Sequence, residues 1–167
     1  MFPIDKAYKK FWKLYDMIGH SIEDLPEEYI KLVQKEIING STLDLGCGTG
    51  RFARYFDDYL GIDINSKNIS YARGYNPYKK FLIQDIITFK PKKQFDNILC
   101  YIVLGHISPT FIKKVSQKIS KIAKNIVLVE NCDGEANNLW CFVHDYHKYF
   151  NITKDIRLDN MFHLMVI

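Results

Sequence analysis

An apolar strand that runs directly into three alternating glycines constrains this chain more than any other stretch. Residues 43–50 read LDLGCGTG, with glycine at 46, 48 and 50. Glycine has no Cβ, so a backbone of this kind turns sharply and lets a ligand lie against its amides. The spacing is G-x-G-x-G, and Arg51 stands where a dinucleotide-binding fingerprint needs its last glycine. The segment therefore predicts a nucleotide-type cradle that does not meet the dinucleotide pattern.

Three later segments each combine a short apolar run with an acid or a turn. They are residues 59–63 (YLGID), 81–86 (FLIQDI) and 95–107 (FDNILCYIVLGHI). Together with the glycine segment they resemble the four motifs of the class I S-adenosylmethionine-dependent methyltransferases, in the order of that family, over about residues 43–131. Each match alone is weak, but chance is a poor explanation for four matches in the order of the family. The chain is therefore identified as resembling a small, single-domain member of this family.

The resemblance implies a set of cofactor-binding residues. Asp63 would accept hydrogen bonds from the ribose hydroxyls of S-adenosylmethionine, and Ile64 would pack on the adenine ring. Asp85 would reach the adenine amino group beside Ile86, with the capping of a turn as its alternative role. Asp44 would help to orient the loop and the amino group of the cofactor, with a purely structural hydrogen bond as its alternative role. The other implied contacts come from the glycine segment and the fourth strand: Gly46, Cys47, Gly48, Gly50, Cys100 and Tyr101.

Methyl transfer to a hydroxyl or a protonated amine needs a base. The candidates near the ends of strands four and five are His106, Tyr101 and His144, and for His106 a packing or helix-entry role is the alternative. The acceptor is expected to approach over residues 101–106, 130–132 and 140–144. Because these segments contain no arginine, a small and partly apolar acceptor is favoured over a polyanion.

Aromatic residues near the amino terminus recur at helical spacing. Tyr8, Phe11, Trp12 and Tyr15 either close over the site as a lid or form a stripe that faces the core. The spacing of Cys132, Cys141, His144 and His147 imitates a metal site, but the chain has no C-x-x-C pair and no metal is predicted.

Composition agrees with one globular domain. The chain has 167 residues, of which 47% are hydrophobic and 25% are charged. Alternating strands and helices predict an α/β fold, a Rossmann-like doubly wound sheet of seven mostly parallel strands with an antiparallel last strand and helices on both faces. The predicted parts are an amino-terminal helical lid or cap (1–40), a cofactor-binding core (41–131), and a carboxyl-terminal helix and β-hairpin (132–167).

The individual elements follow from periodicity and from cap residues. Helices are predicted over residues 6–17, 26–38, 50–57, 65–74, 109–124 and 135–150. Strands are predicted over residues 41–45, 59–63, 81–84, 95–101, 125–130, 152–158 and 162–167.

The predicted function is transfer of a methyl group from S-adenosylmethionine, by in-line displacement, to a small molecule. An RNA or protein methyltransferase that uses its basic surface or a partner is an alternative, as is a cofactor-binding module without catalysis. The lysines within 113–124 lie opposite an apolar stripe, which favours a solvated helix face over an RNA-binding patch. The amino terminus lacks a signal-peptide pattern and no run is long enough to span a membrane, so a cytoplasmic protein with no membrane partner is expected.

Overall fold

The computed structural model describes residues 10, 11, 13, 25–133 and 141–167. Its helices are α1 (Glu27–Glu36), α2 (Ser66–Tyr75) and α3 (Pro109–Ile122). Its strands are β1 (Thr42–Leu45), β2 (Tyr59–Asp63), β3 (Lys80–Ile83), β4 (Phe95–Tyr101), β5 (Ala123–Asn131), β6 (Lys154–Arg157) and β7 (Phe162–Val166). The predicted lid residues Tyr8, Trp12 and Tyr15 lie outside the described residues.

The strands form one sheet in the order β3-β2-β1-β4-β5-β7-β6. Strands β1 to β5 are parallel, and β7 is antiparallel to both of its neighbours. The chain moves outward from β1 to β3 and then returns to the other side of β1, so the order reverses between β1 and β4. In open sheets of this kind, ligands bind beyond the carboxyl ends of the strands at such a reversal. The predicted fold class is confirmed.

Side chains alternate between two cores, one on each face of the sheet. On one face, Ile98 of β4 packs in a cluster with Ile112 and Ile119 of α3. On the other face, Leu99 belongs to a cluster that includes Val33 of α1 and Ile69 of α2. The helices therefore cover both faces, and no helix in the described ranges is long and apolar enough to cross a lipid bilayer.

Two of the predicted helices begin at well-formed caps. The side chain of Asn65 accepts hydrogen bonds from the amides of Lys67 (2.8 Å) and Asn68 (3.2 Å) at the start of α2. The Ser108 hydroxyl accepts from the Thr110 amide (3.4 Å) at the start of α3, where a proline occupies the first helical position. Both helices lie where the sequence predicts them.

The helix predicted over residues 50–57 is wrong. Gly50 has a φ of +78°, a left-handed conformation that an α-helix does not admit. Short-range hydrogen bonds follow instead, from the Ala53 amide to Gly50 O (3.1 Å) and from the Tyr55 amide to Phe52 O (3.0 Å). The segment is reduced to a 3₁₀ turn at Ala53–Tyr55.

The carboxyl-terminal helix predicted over residues 135–150 is also wrong for its described part. Residues 141–150 contain one 3₁₀ turn, Tyr146–Lys148, and no α-helix. Two of their groups bond to the segment after β4: the Phe142 amide donates to Gly105 O (2.7 Å), and His144 Nε2 donates to Ile107 O (2.9 Å). Tyr146 and Phe150 bury their rings in the core cluster that includes α3. Tertiary contacts thus override a weak helical preference. The β6–β7 hairpin is confirmed.

Candidate active site

The glycine segment forms a tight loop at the carboxyl end of β1. Gly46, Gly48 and Gly50 all have positive φ, at +71°, +53° and +78°. The amides of Gly46 and Cys47 donate to Ile62 O at 2.8 and 2.9 Å, which fastens the loop to β2. A Cβ at Gly46 would lie 2.6 Å from a methyl group of Val103, so the loops after β1 and β4 touch there. The Cys47 thiol is buried, which leaves the backbone of this residue to face the loop.

Asp63 ends β2 and holds the glycine loop. Its Oδ2 accepts from the Gly48 amide at 2.9 Å, and its Oδ1 accepts from the Asn65 amide at 2.7 Å. The Ile64 amide also bonds to this carboxylate. Burial raises the pKa of Asp63, while the three amides oppose that shift. A carboxylate has about four acceptor positions, so at least one remains for a further donor.

Asp44 lies beneath the loop, in the middle of β1. Its Oδ2 accepts from the Tyr59 hydroxyl at 2.6 Å, and the side chain is buried. Burial raises the pKa of Asp44 to about 7, against the opposing effects of the Tyr59 hydrogen bond and the charge of Arg51. This geometry supplies the structural hydrogen bond that was the alternative role for Asp44.

Asp85 follows β3 on the outer side of Asp63. The Gln84 amide donates to Asp63 O at 2.8 Å, so the two acids belong to neighbouring strand ends. Asp85 Oδ1 accepts from the Ile87 amide at 2.8 Å, and its carbonyl accepts from the Phe89 amide at the same distance. Asp85 therefore caps a turn, as its alternative role requires. Beside it, Ile86 packs at the edge of the core.

The end of β4 carries a strained residue. Ile102 has a φ of +55°, which is unfavourable for a β-branched side chain. The bond from its amide to Val129 O (2.7 Å) holds it in that conformation. Two residues earlier, the thiol of Cys100 is fully buried in the core, and this burial raises the pKa of the thiol well above its usual range. Only the backbone of Cys100 can therefore contact a ligand.

Tyr101 lies among polar and aromatic groups that the sequence did not connect to it. Its ring is 5.2 Å from that of Phe52 and 5.4 Å from the guanidinium carbon of Arg51, centroid distances typical of aromatic and cation–π contact. The Tyr29 hydroxyl donates to Asp159 Oδ2 at 2.7 Å, and both groups interact electrostatically with Tyr101. Arg51 thus brings a guanidinium to this end of β4, although the acceptor segments contain no arginine.

Glu130 holds the loop after β4. It lies near the end of β5, and its side chain is fully buried. Glu130 Oε1 accepts from the amides of Val103 (2.9 Å) and Leu104 (2.7 Å), and Oε2 accepts from the Gly105 amide (3.1 Å) and the Tyr146 hydroxyl (3.4 Å). Burial raises its pKa to about 7 against these hydrogen bonds. An acid directly after the apolar run 126–129 was the signal in the sequence that could have assigned this role.

His106 lies in the short turn that follows. Its amide donates to Val103 O at 2.9 Å, and its Nδ1 is 3.4 Å from the Cys141 thiol. The ring is partly exposed, so it remains on the surface beyond β4. The pair with Cys141 joins residues 35 positions apart, which no local pattern predicts.

His144 lies deeper than His106. Its Nε2 is 2.9 Å from Ile107 O, and burial lowers its pKa, which favours the neutral ring. His147 instead pairs with Asp155 at 3.2 Å. These histidines point to different partners, and the described residues contain no cluster of three side chains suited to a metal.

Comparison with known proteins places this geometry in a family. Residues 42–125, from β1 into the start of β5, match the sequence profile of a family described as a methyltransferase domain. The chain belongs to this methyltransferase family. The match covers β1 to β4 and the loops that follow them, including the glycine segment and Asp63, and the predicted class I, S-adenosylmethionine-dependent type is confirmed. S-adenosylmethionine is the cofactor of that class.

Solved structures share the fold of this methyltransferase chain. The PH0226 protein of Pyrococcus horikoshii superimposes with a TM-score of 0.76 at 17% identity, over 96% of this chain and 97% of that one. DhpI, solved in complex with SAH, superimposes with a TM-score of 0.75 at 15% identity, over 98% of this chain and 95% of that one. The N-methyltransferase NodS of Bradyrhizobium japonicum superimposes with a TM-score of 0.70 at 15% identity, over 84% of this chain and 93% of that one.

Two curated proteins of Methanocaldococcus jannaschii match parts of the chain. The uncharacterized protein MJ1252 is 25% identical over 73% of this chain and 48% of its own length. The uncharacterized protein MJ1123 is 29% identical over 54% of this chain and 53% of its own length. The chain thus spans about half the length of the curated relatives it matches.

Proposed function

We propose that this chain binds S-adenosylmethionine at the carboxyl ends of β1, β2 and β4 and transfers its methyl group, by in-line displacement, to a small molecule. The observation that carries the proposal is the loop of three glycines with positive φ, fastened to β2 and held by Asp63. When bound, S-adenosylmethionine supplies an electrophilic methyl group.

The residues of this edge fit such a cofactor. Asp63 retains an acceptor position for a ribose hydroxyl, and its neighbours Gly48 and Asn65 keep the carboxylate in place. Backbone carbonyls of Cys100 and Tyr101 would accept from the ammonium group. Ile64 and Ile86 would flank the adenine ring, and the Asp85 carboxylate would accept from its amino group while it caps its turn.

Few groups remain for proton transfer. Of the three predicted bases, His144 donates from Nε2 to the carbonyl oxygen of Ile107 inside the fold, which supports a packing role. The Tyr101 hydroxyl holds its proton tightly because burial raises its pKa. The partly exposed ring of His106 is therefore the base that we propose, with Cys141 beside its Nδ1 to fix the orientation of the ring.

The surface around Tyr101 supports a small acceptor. It combines aromatic rings with the guanidinium of Arg51 and the Tyr29–Asp159 hydrogen bond. Apolar walls with a few oriented polar groups are typical of small-molecule sites.

Calorimetric titration with S-adenosylhomocysteine, and separately with NAD, tests the cofactor. We expect binding of the first and none of the second. Incubation with methyl-labelled S-adenosylmethionine and fractionated cell extract then tests the acceptor. Label in the low-mass fraction is the expected result, label in RNA or protein contradicts the small-molecule part, and binding without any labelled fraction indicates a module without catalysis.

A further inference from the structure

The positive charge of the chain is concentrated in one segment. Residues 86–124 contain eight lysines and a single acid, Asp96, which gives this segment a formal charge of +7. Since the whole chain carries +4, the remainder carries −3. An asymmetry of this kind indicates a polyanionic partner more strongly than the modest net charge does.

The fold gathers two groups of these lysines around one groove. The groove has a volume of about 430 Å³ and is lined by residues 89–94, which precede β4, and by Lys118 and Ile122 of α3. Both segments lie just before the amino-terminal ends of parallel strands β4 and β5. The groove is therefore at the opposite edge of the sheet from the candidate active site, about 20 Å away along β4.

Most lysines of this segment have no acidic partner in the described part of the chain. Lys93 pairs with Asp58 at 3.3 Å, and Lys124 pairs with Asp96 at 2.7 Å. No carboxylate among the described residues lies within 4 Å of Lys90, Lys92, Lys113, Lys114 or Lys121. Lys118 forms no such ion pair either, but it interacts electrostatically with Asp85.

Lys118 gives the groove its shape. Its Nζ donates to the carbonyls of Ile86, Ile87 (3.1 Å) and Phe89 (3.2 Å), which ties the turn after β3 to α3. Lys114 and Lys121 lie about one turn before and after it on the same side of the helix. The exposed Lys90 and Lys92 form the facing wall.

We propose that this lysine groove binds the phosphate backbone of a nucleic acid. Lysine contacts phosphate as a point charge, so we expect binding that depends on salt and little on base sequence. A lipid surface is less suitable, because the apolar residues of α3, such as Ile112 and Ile119, are buried in the core and offer nothing to insert. Unlike the proposed methyl transfer, this binding needs no cofactor.

The proposal is tested by fluorescence anisotropy with a labelled mixed-sequence RNA of about 20 nucleotides and with the matching DNA. If four lysines contact phosphates, the logarithm of the affinity should fall with the logarithm of the salt concentration with a slope of about −3. Lys90→Glu/Lys92→Glu reverses the charge of two lysines that line the groove, and Lys114→Glu/Lys121→Glu reverses the charge of the two α3 lysines on either side of Lys118. Each variant should lose about tenfold or more in affinity. A control with the same charge change, Lys35→Glu/Lys80→Glu, replaces exposed lysines elsewhere and should bind as the unmodified chain does.

Thermal unfolding confirms that each variant is folded, and because it needs no cofactor it keeps this test independent of the methyltransferase proposal. A difference between RNA and DNA would identify the natural source of the phosphate. No binding at 50 mM salt, equal losses in the control, or binding only to vesicles that contain phosphatidylserine would each overturn the proposal.

Discussion

Each of two loops beside the candidate active site is held by a carboxylate from a neighbouring strand, but the two carboxylates differ in exposure. The loop after β1 is held by Asp63 from the neighbouring strand β2, and the loop after β4 is held by Glu130 from the neighbouring strand β5. Asp63 is partly exposed and keeps an acceptor position, whereas Glu130 is fully buried and receives four hydrogen bonds. Exposure therefore separates a carboxylate that can also serve a ligand from one that only shapes a loop.

Removal of Glu130 should have the largest effect. Glu130→Ala leaves two buried amides and one partly buried amide without an acceptor, so we expect the free energy of unfolding to fall by about 3 kcal/mol, at about 1 kcal/mol for each. Glu130→Gln, which retains one acceptor oxygen, should lose less. Denaturant unfolding measures both, and a loss below about 1 kcal/mol in the alanine variant would show that the loop after β4 is held by other contacts.

Removal of the Asp63 carboxylate should mainly lower the affinity for the cofactor. Hydrogen bonds to a charged group contribute roughly 1.5 to 3 kcal/mol, so Asp63→Ala should weaken S-adenosylhomocysteine binding by more than about tenfold. Asp85→Ala is the comparison: Asp85 is also proposed to contact the cofactor, but it bonds to its own turn as well, so we expect a smaller loss. Calorimetry that finds the larger loss in Asp85→Ala would reverse the roles of the two acids.

The buried carboxyls predict a pH dependence of stability. The pKa values of Asp44 and Glu130 are both raised to about 7, so the folded chain holds these protons more tightly than the unfolded chain. Their contribution to stability is complete below pH 4 and is lost as the pH rises to about 7. Asp44→Asn should flatten the decline in unfolding free energy between pH 5 and pH 8 by about 1 kcal/mol or more. If the free energy of unfolding of Asp44→Asn falls with pH as steeply as that of the unmodified chain, Asp44 is not the source of the pH dependence.

The two histidines should give the smallest effects on cofactor binding. His106→Ala should leave S-adenosylhomocysteine affinity and unfolding unchanged while it lowers label transfer to the acceptor fraction. His144→Ala should instead reduce the free energy of unfolding by about 1 kcal/mol, because the Ile107 carbonyl loses its buried partner. Full label transfer by His106→Ala would mean that no base is needed at this position.

Local signals in the sequence were sufficient for most of the fold and for the backbone of the edge where we propose that the cofactor binds. Alternating apolar strands, the caps at Asn65 and Ser108, and the glycines after β1 are constraints on the backbone within a few residues. Such constraints act before any distant contact forms. Five parallel strands, the final hairpin and the position of Asp63 beside the glycine loop were therefore predictable.

Only the tertiary structure decided what depends on distant segments. The helix predicted at 135–150 gives way, in its described part, to contacts with the loop after β4, and Glu130 finds its amide partners more than 20 residues earlier in the chain. Arg51 contacts Tyr101, and Lys90 lines the same groove as Lys118 of α3, through distant contacts of the same kind. These pairings follow from the order of the strands and the packing of two cores, which periodicity and motif spacing do not encode.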